Sequence, residues 1–127
     1  MTDAPHDDLV IDLIVAVLAV NNYSLERAYA LVDSLQRERL TDLKAIRQMD
    51  PDEVAQCLQR AGYSQAEFIL NLFANRLKRV AEDVSDHRLA QLMAHEESGR
   101  TELSKELLLQ VHGVGQDVLR NFRTLRS

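Results

Sequence analysis

Apolar residues recur along the chain at helical spacing, and one segment is apolar on nearly every side. Between Leu9 and Val20 the only charged residue is Asp12. A helix of this kind has to be surrounded by other helices, so we expect it at the centre of the domain. A helix that crosses a membrane needs about 20 apolar residues, and this run has 12, so we expect no membrane contact.

The rest of the chain divides into further helices at clear start and stop signals. Asp50 is followed by Pro51 and by Glu53 three residues after the cap, which is typical of a helix start. Gly62 suits the left-handed position just after a helix, and residues 95–100 (HEESGR) resemble a linker. The remaining predicted caps are Ser24, Thr41, Ser64 and Ser85, and Thr101 begins a later helix.

These signals predict an all-α fold, a compact bundle of about seven helices with no strand pattern and no repeat. Residues 9–127 are predicted to form a single helical domain, preceded by a disordered acidic tail over residues 1–8. The long helix opened by Ser64 carries apolar residues at helical spacing. They are Phe68, Ile69, Leu72, Phe73, Leu77, Val80 and Ala81.

The charge balance is acidic overall but differs between the two parts of the chain. Lys and Arg number 15 against 20 Asp and Glu, a net charge of −5, which argues against a protein that coats nucleic acid. From Arg100 to Ser127 the net charge is +2, which leaves −7 for the first 99 residues. The argument against nucleic acid therefore applies to the body of the domain and not to its C-terminal end.

The residues that carry metal or redox chemistry are few. Cys57, the only cysteine, excludes a disulfide framework and indicates a core residue. The histidines are His6, His87, His95 and His112, and none forms a metal-binding pair one turn apart, so no metal and no cofactor is expected. Residues 1–8 contain no basic residue, unlike a signal peptide, and a cytoplasmic location is therefore expected.

The most informative local feature is a helical hairpin over about residues 102–126. Its two amphipathic helices are joined by Gly113-Val114-Gly115. Glycines permit a tight reversal and leave backbone N–H groups uncovered, while Val114 is expected to point inward. Together with the N-terminus of the following helix, such N–H groups suit one nucleic-acid phosphate. A glycine-closed hairpin that binds nothing remains the alternative.

The hairpin resembles that of the helix-hairpin-helix DNA glycosylase superfamily, the endonuclease III-like proteins, whose usual turn is Leu-Pro-Gly-Val-Gly. Residues 13–22 are similar to the family's buried first helix and the loop after it. Residues 50–63 and 64–80 resemble the next matching segments in the family's order. The resemblance covers about residues 9–122 and implies the six-helix barrel of that family together with DNA binding.

The departures from the family concern the chemistry. Lyase-active members carry a lysine two residues after the second hairpin glycine, where this chain has Asp117, which cannot form a Schiff base. The family's catalytic aspartate and cluster-binding cysteines would lie beyond Ser127. His112 stands where proline is usual. The resemblance therefore implies a protein that is not an enzyme and has no catalytic residue.

Two classes of function follow from these observations. The first is a non-catalytic, DNA-repair-related module that binds double-stranded DNA weakly and without sequence preference. The second is a helical protein-interaction or oligomerisation module that has lost DNA binding. A third alternative is that a partner chain, either a second copy in a homodimer or another protein, closes the cleft and supplies the missing helices and catalytic aspartate. The predicted phosphate-binding residues are Gly113, Val114, Gly115, Gln116, Arg120 and Arg123, and Asn21 and Asn22 are assigned to a DNA-facing loop. Arg120, Arg123 and Arg126 lie one helical turn apart and form a row of arginines on the last helix.

Overall fold

The computed structural model describes residues 5–20 and 23–127, with side chains from Leu9 onward. Within these residues the fold is all-α, as predicted, with nine helices and no strand. The helices are α1 (Pro5–Leu18), α2 (Leu25–Tyr29), α3 (Val32–Arg37), α4 (Leu43–Gln48), α5 (Pro51–Arg60), α6 (Glu67–Asp83), α7 (Asp86–Glu97), α8 (Thr101–Leu109) and α9 (Gln116–Arg126).

The segment after Ser24 forms two helices rather than the one that was predicted. The N–H of Leu31 bonds to the carbonyl oxygen of Ala28, three residues back, at 3.1 Å. A bond of this type tightens the chain into a turn and ends α2 before α3 begins. This interruption is one reason why the structure has more than the expected seven or so helices.

Helix α1 lies at the centre of the bundle, as predicted. Every residue from Leu9 to Ala19 is buried, Asp12 included. Its most extensive contacts are with α9, and it also packs against α2, α6 and α7. The all-round apolar pattern is thus explained by neighbours on several sides. None of the described helices is both long and apolar enough to cross a membrane.

The observed caps confirm part of the sequence prediction. Asp50 accepts a 2.9 Å hydrogen bond from the N–H of Glu53, with Pro51 in the first helical turn. Ser24 and Ser85 cap α2 and α7, and Gly62 has a φ of +95°. These four positions behave as predicted.

Two predicted caps are wrong by one or two residues. Helix α4 is capped by Asp42, whose carboxylate accepts from the N–H groups of Lys44 and Ala45, rather than by Thr41. Aspartate caps helices better than threonine does, so the neighbouring residue takes this position. Helix α6 begins after Ala66, without a side-chain cap, so Ser64 and Glu67 form no capping box.

Two boundaries also differ from the prediction. Helix α1 begins at Pro5, so the last four residues of the predicted tail over 1–8 are helical, and residues 1–4 lie outside the described residues. Proline fits the first helical position because its fixed φ matches the helix. Helix α7 continues to Glu97, so the first half of the predicted linker is its last turn.

The long helix α6 buries only part of its apolar surface. Phe73, Leu77 and Val80 are buried, and α6 packs against α4 and α5. Phe68 is 71% exposed and Leu72 is 50% exposed, so these two apolar side chains do not face the core. The reason is that they lie one turn apart on the side of α6 that no described helix covers.

Candidate nucleic-acid interface

The hairpin consists of α8 and α9, joined by residues 110–115. Val114 is buried, as predicted, while Gly113, Gly115 and Gln116 are exposed. The N–H of Val114 donates to the carbonyl oxygen of Val111 at 3.2 Å, which closes the turn. The buried valine thus fixes the turn to the core and leaves its outer backbone open to solvent.

The two hairpin glycines have different structural roles. Gly113 has a φ of +89°, and a Cβ atom there would lie 2.8 Å from the Cγ of Arg76 and 3.3 Å from a methyl group of Val80. Gly115 has an extended backbone with a φ of −104°, and a Cβ atom there would meet nothing within 4 Å. The first glycine is therefore required by the fold, whereas the second leaves free space in front of α9.

Helix α9 begins at this open space without a side-chain cap at Gly115. The first-turn N–H groups of any helix have no partner within the helix, and they carry partial positive charge. Asp117, in the same turn, forms an ion pair with Arg120 at 3.2 Å, and both side chains are largely exposed. Arg120 therefore compensates the one carboxylate that this turn contributes.

His112 anchors the turn to the end of α6. Its backbone N–H and its ring Nδ1 each lie 2.8 Å from Oδ2 of Asp83. The pKa of the Asp83 carboxyl is lowered, chiefly by the hydrogen bond from the backbone N–H of His112. His112 stands where the resembled turn usually has a proline, and it holds the turn through its hydrogen bonds to Asp83.

Two of the three arginines in the predicted row along α9, Arg123 and Arg126, form ion pairs with carboxylates of other helices. Arg123 binds Oε2 of Glu96. Arg126 binds Oδ2 of Asp12 at 3.0 Å and Oε1 of Glu96 at 3.4 Å. These contacts fasten α9 to α1 and α7, so Arg123 stabilises the fold and is not a free cation for DNA.

Glu96 is the centre of this ion-pair cluster. Its side chain is 6% exposed. Burial alone would raise the pKa of its carboxyl, but the neighbouring Ser104 hydroxyl and the guanidinium groups of Arg123 and Arg126 outweigh burial and lower it. Ser104 Oγ is buried and lies beside this carboxyl, without a partner in good hydrogen-bond geometry among the described residues. The sequence pattern assigns Glu96 to a linker over residues 95–100 and therefore does not predict this cluster.

A row of stacked rings and guanidinium groups runs from the hairpin across the domain. The Arg76 guanidinium lies over the ring of Phe73 at 4.9 Å. Phe73 packs edge-on against Tyr63 at 5.9 Å, and Tyr63 contacts Tyr23 at 4.7 Å between ring centres. The Arg27 guanidinium covers the other end, 4.3 Å from the centre of the Tyr23 ring. We call this set the cation–aromatic row.

The inner part of the row is firmly held. The hydroxyl of Tyr63 donates to the carbonyl oxygen of Leu18 at 2.9 Å. Burial is the main reason that the pKa of Tyr63 is raised to about 12. Spacings of three and four residues, Phe73 to Arg76 and Tyr23 to Arg27, are the only sequence signal for the ends of the row. Contacts between distant segments supply the rest.

Other candidate groups are less informative. Asn21 and Asn22 lie outside the described residues. Cys57 is buried, as predicted. Among the side chains of residues 9–20 and 23–127, no three or more histidine, cysteine, aspartate or glutamate residues form a group that would hold a metal ion. In comparisons with known proteins, the chain matches no family model, no curated protein and no solved structure.

Proposed function

We propose that this protein is a non-catalytic, DNA-repair-related module that binds the phosphate backbone of double-stranded DNA through the α8–α9 turn. The observation that carries the proposal is the group of exposed residues Gly113, Gly115 and Gln116 at the start of α9, next to the side-chain stem of Arg76, whose guanidinium has no carboxylate partner among the described residues. Backbone N–H groups at a helix start, together with a nearby arginine, are the donors that a phosphate requires.

Arg76 supplies positive charge near the turn, whereas Arg123 and Arg126 of the predicted arginine row are paired with carboxylates. The turn packs against its side-chain stem, so its guanidinium lies within one side-chain length of Gly113. Among the described residues, no hydrogen bond or carboxylate ion pair occupies this group, which only stacks on Phe73. Arg120, exposed on the first turns of α9, is the second cation near the turn.

The surrounding charge defines what kind of DNA binding is expected. Asp83 and Asp117 lie close to the turn, and the protein carries a net charge of −5. Each carboxylate repels an approaching phosphate, and added salt screens the few favourable contacts. We therefore propose weak binding that depends strongly on salt and does not depend on sequence.

The proposal that the protein is not an enzyme rests on Asp117. It stands where lyase-active members of the resembled glycosylase superfamily carry the lysine that attacks the sugar aldehyde. A carboxylate has no amine to form that intermediate. The same resemblance is the reason for proposing a role in DNA repair, because the order of the matched segments supports it.

Gly115 provides the sharpest test of phosphate binding by the turn. A side chain there meets open space, so Gly115→Glu and Gly115→Gln are both expected to fold. The glutamate places one negative charge at the phosphate position, and the glutamine has nearly the same size without the charge. At about 5 Å and an effective dielectric constant near 20, the repulsion is on the order of 3 kcal/mol before salt screening. We expect at least tenfold weaker binding by Gly115→Glu than by Gly115→Gln.

The measurement is fluorescence anisotropy of a labelled duplex at roughly 50 mM salt, repeated at several salt concentrations. Binding by the unaltered protein should weaken steadily as salt increases. Equal affinities for the two variants would contradict contact through the turn. No binding of any duplex by the unaltered protein would reject the DNA function itself.

Exposed apolar residues on α6 favour a second candidate function, association between two copies of the chain. Phe68 and Leu72 lie one turn apart and are both at least half exposed. If they form an interface, Phe68→Glu should convert a dimer to a monomer, whereas Glu67→Gln beside it should not. Sedimentation velocity decides this: an unaltered protein that is monomeric at roughly 100 μM would reject the candidate.

A further inference from the structure

We propose that Arg27 is a second phosphate contact for the same DNA, placed by the cation–aromatic row that begins at Arg76 beside the hairpin. This inference rests on the proposed function and extends it from one contact at the turn to two contacts with one strand of a duplex. The second contact lies at the start of α2, and the buried rings of Tyr23, Tyr63 and Phe73 connect it to Arg76. The two arginines at the ends of the row are the phosphate ligands.

Both guanidinium groups are held in place by stacking on an aromatic ring. A guanidinium that stacks on an aromatic ring presents one face to the ring, and its N–H donors point outward in its own plane. Arg27 and Arg76 are held in this way, over Tyr23 and Phe73 respectively. In the described part of the chain, neither guanidinium donates to a carboxylate. Their donors therefore remain available for a phosphate.

The contrast with Arg123 shows why stacking alone is not sufficient. Arg123 also lies over a ring, that of Phe122, at 4.9 Å. One of its amino groups is bonded to Glu96, however, its Nε is buried, and its side chain is only 30% exposed. Arg27 is exposed and has no such partner. A prepositioned guanidinium with free donors loses less conformational freedom when it binds.

The length of the row fits a nucleic-acid backbone. Two of the distances along the row join ring centres and two join a ring centre to a guanidinium carbon. Their sum, about 20 Å, is the largest possible separation of the guanidinium carbons of Arg27 and Arg76. A strand of duplex DNA advances about 3.4 Å per nucleotide, so the two contacts lie within about six nucleotides of one strand. The rings between them, Tyr23, Tyr63 and Phe73, are buried and keep this separation constant.

The test is the salt dependence of binding by Arg27→Gln, with Arg100→Gln as the matched control. Both arginines are exposed, and Arg100 lies in the loop between α7 and α8, at the end of α8 away from the turn. Loss of one phosphate contact should reduce the slope of log affinity against log salt by about 0.9. At roughly 50 mM salt this corresponds to about tenfold weaker binding. Arg100→Gln should leave both quantities unchanged.

The outcomes separate this inference from the proposed function. A reduced slope for Arg27→Gln with an unchanged slope for Arg100→Gln supports the second contact. If Arg27→Gln binds like the unaltered protein while Gly115→Glu loses binding, the turn contacts DNA and Arg27 does not. If both arginine variants lose the same slope, the effect is general charge and the inference is wrong. Thermal melts by circular dichroism should show both variants folded, with the Tm of Arg27→Gln lower by no more than a few degrees because it loses the stacking of its guanidinium on Tyr23.

Discussion

Glu96→Gln is expected to lower the free energy of unfolding by about 2 kcal/mol, which for a domain of this size is a fall in Tm of about 6–10 °C. The substitution removes the carboxylate that pairs with Arg123 and one of the two that pair with Arg126, which keeps Asp12. Removal of one member of a buried ion pair costs about 3–5 kcal/mol. The smaller figure applies because both arginines are partly exposed, so water replaces some of the lost interaction.

The neighbouring Glu97 is the matched control. It is exposed and belongs to the same last turn of α7, so Glu97→Gln should change stability by no more than about 0.5 kcal/mol. Urea unfolding followed by far-UV circular dichroism measures both variants. Similar stabilities for the two would mean that the ion-pair cluster does not hold α9 in place.

The stabilisation by Glu96 should also depend on pH with a definite sign. Its pKa in the folded protein lies below the ordinary value of 4.5, because Ser104 and the two arginines outweigh the effect of burial. A lowered pKa gives stability that is complete above the unfolded-state pKa and is lost as the pH falls through the folded-state value. The stability difference between the unaltered protein and Glu96→Gln should therefore be full at neutral pH and shrink below about pH 4.5.

Gly113→Ala is expected to destabilise the protein by about 2 kcal/mol, while Gly115→Ala should be nearly neutral. At Gly113 a side chain requires a left-handed backbone, which costs about 1–2 kcal/mol, and its Cβ would lie 2.8 Å from the Cγ of Arg76. That atom is in the stem of the side chain, so it cannot move without shifting Arg76. At Gly115 the backbone is extended and the space is open.

The same substitution two residues apart thus has two different expected results. Urea unfolding of both alanine variants measures them under identical conditions. Equal destabilisation at the two positions would contradict the assignment of a structural role to Gly113 and an open position to Gly115. Gly113→Ala should also weaken DNA binding, because it displaces Arg76 from the turn.

Local signals in the sequence predicted the elements that depend on neighbouring residues. The apolar run of α1, the cap at Asp50, the turn at Gly62 and the inward direction of Val114 all follow from short-range chemistry. Thr41 was predicted as a cap although Asp42 is the stronger one. Such one-residue shifts arise because adjacent polar residues compete for the same N–H groups.

The parts that the sequence did not predict depend on contacts between distant segments. Glu96 looked like a loop residue because its partners lie 27 and 30 positions away in the chain. The arginines of α9 were not predicted to pair with carboxylates, because Asp12 on α1 and Glu96 on α7 are distant from them in the sequence. Arg76 and Arg27 could not be predicted as phosphate ligands of one site, because the rings of Tyr23, Tyr63 and Phe73 that connect them come from distant segments.

The most direct test of DNA contact through the hairpin is an amide chemical-shift titration of the isotope-labelled protein with a short duplex. We expect the largest shift changes at the N–H groups of Gly113, Gly115 and Gln116, and we expect these changes to disappear in high salt. The Arg27 side chain should respond together with them. No shift changes at the turn, or changes centred on Phe68 and Leu72, would contradict the account.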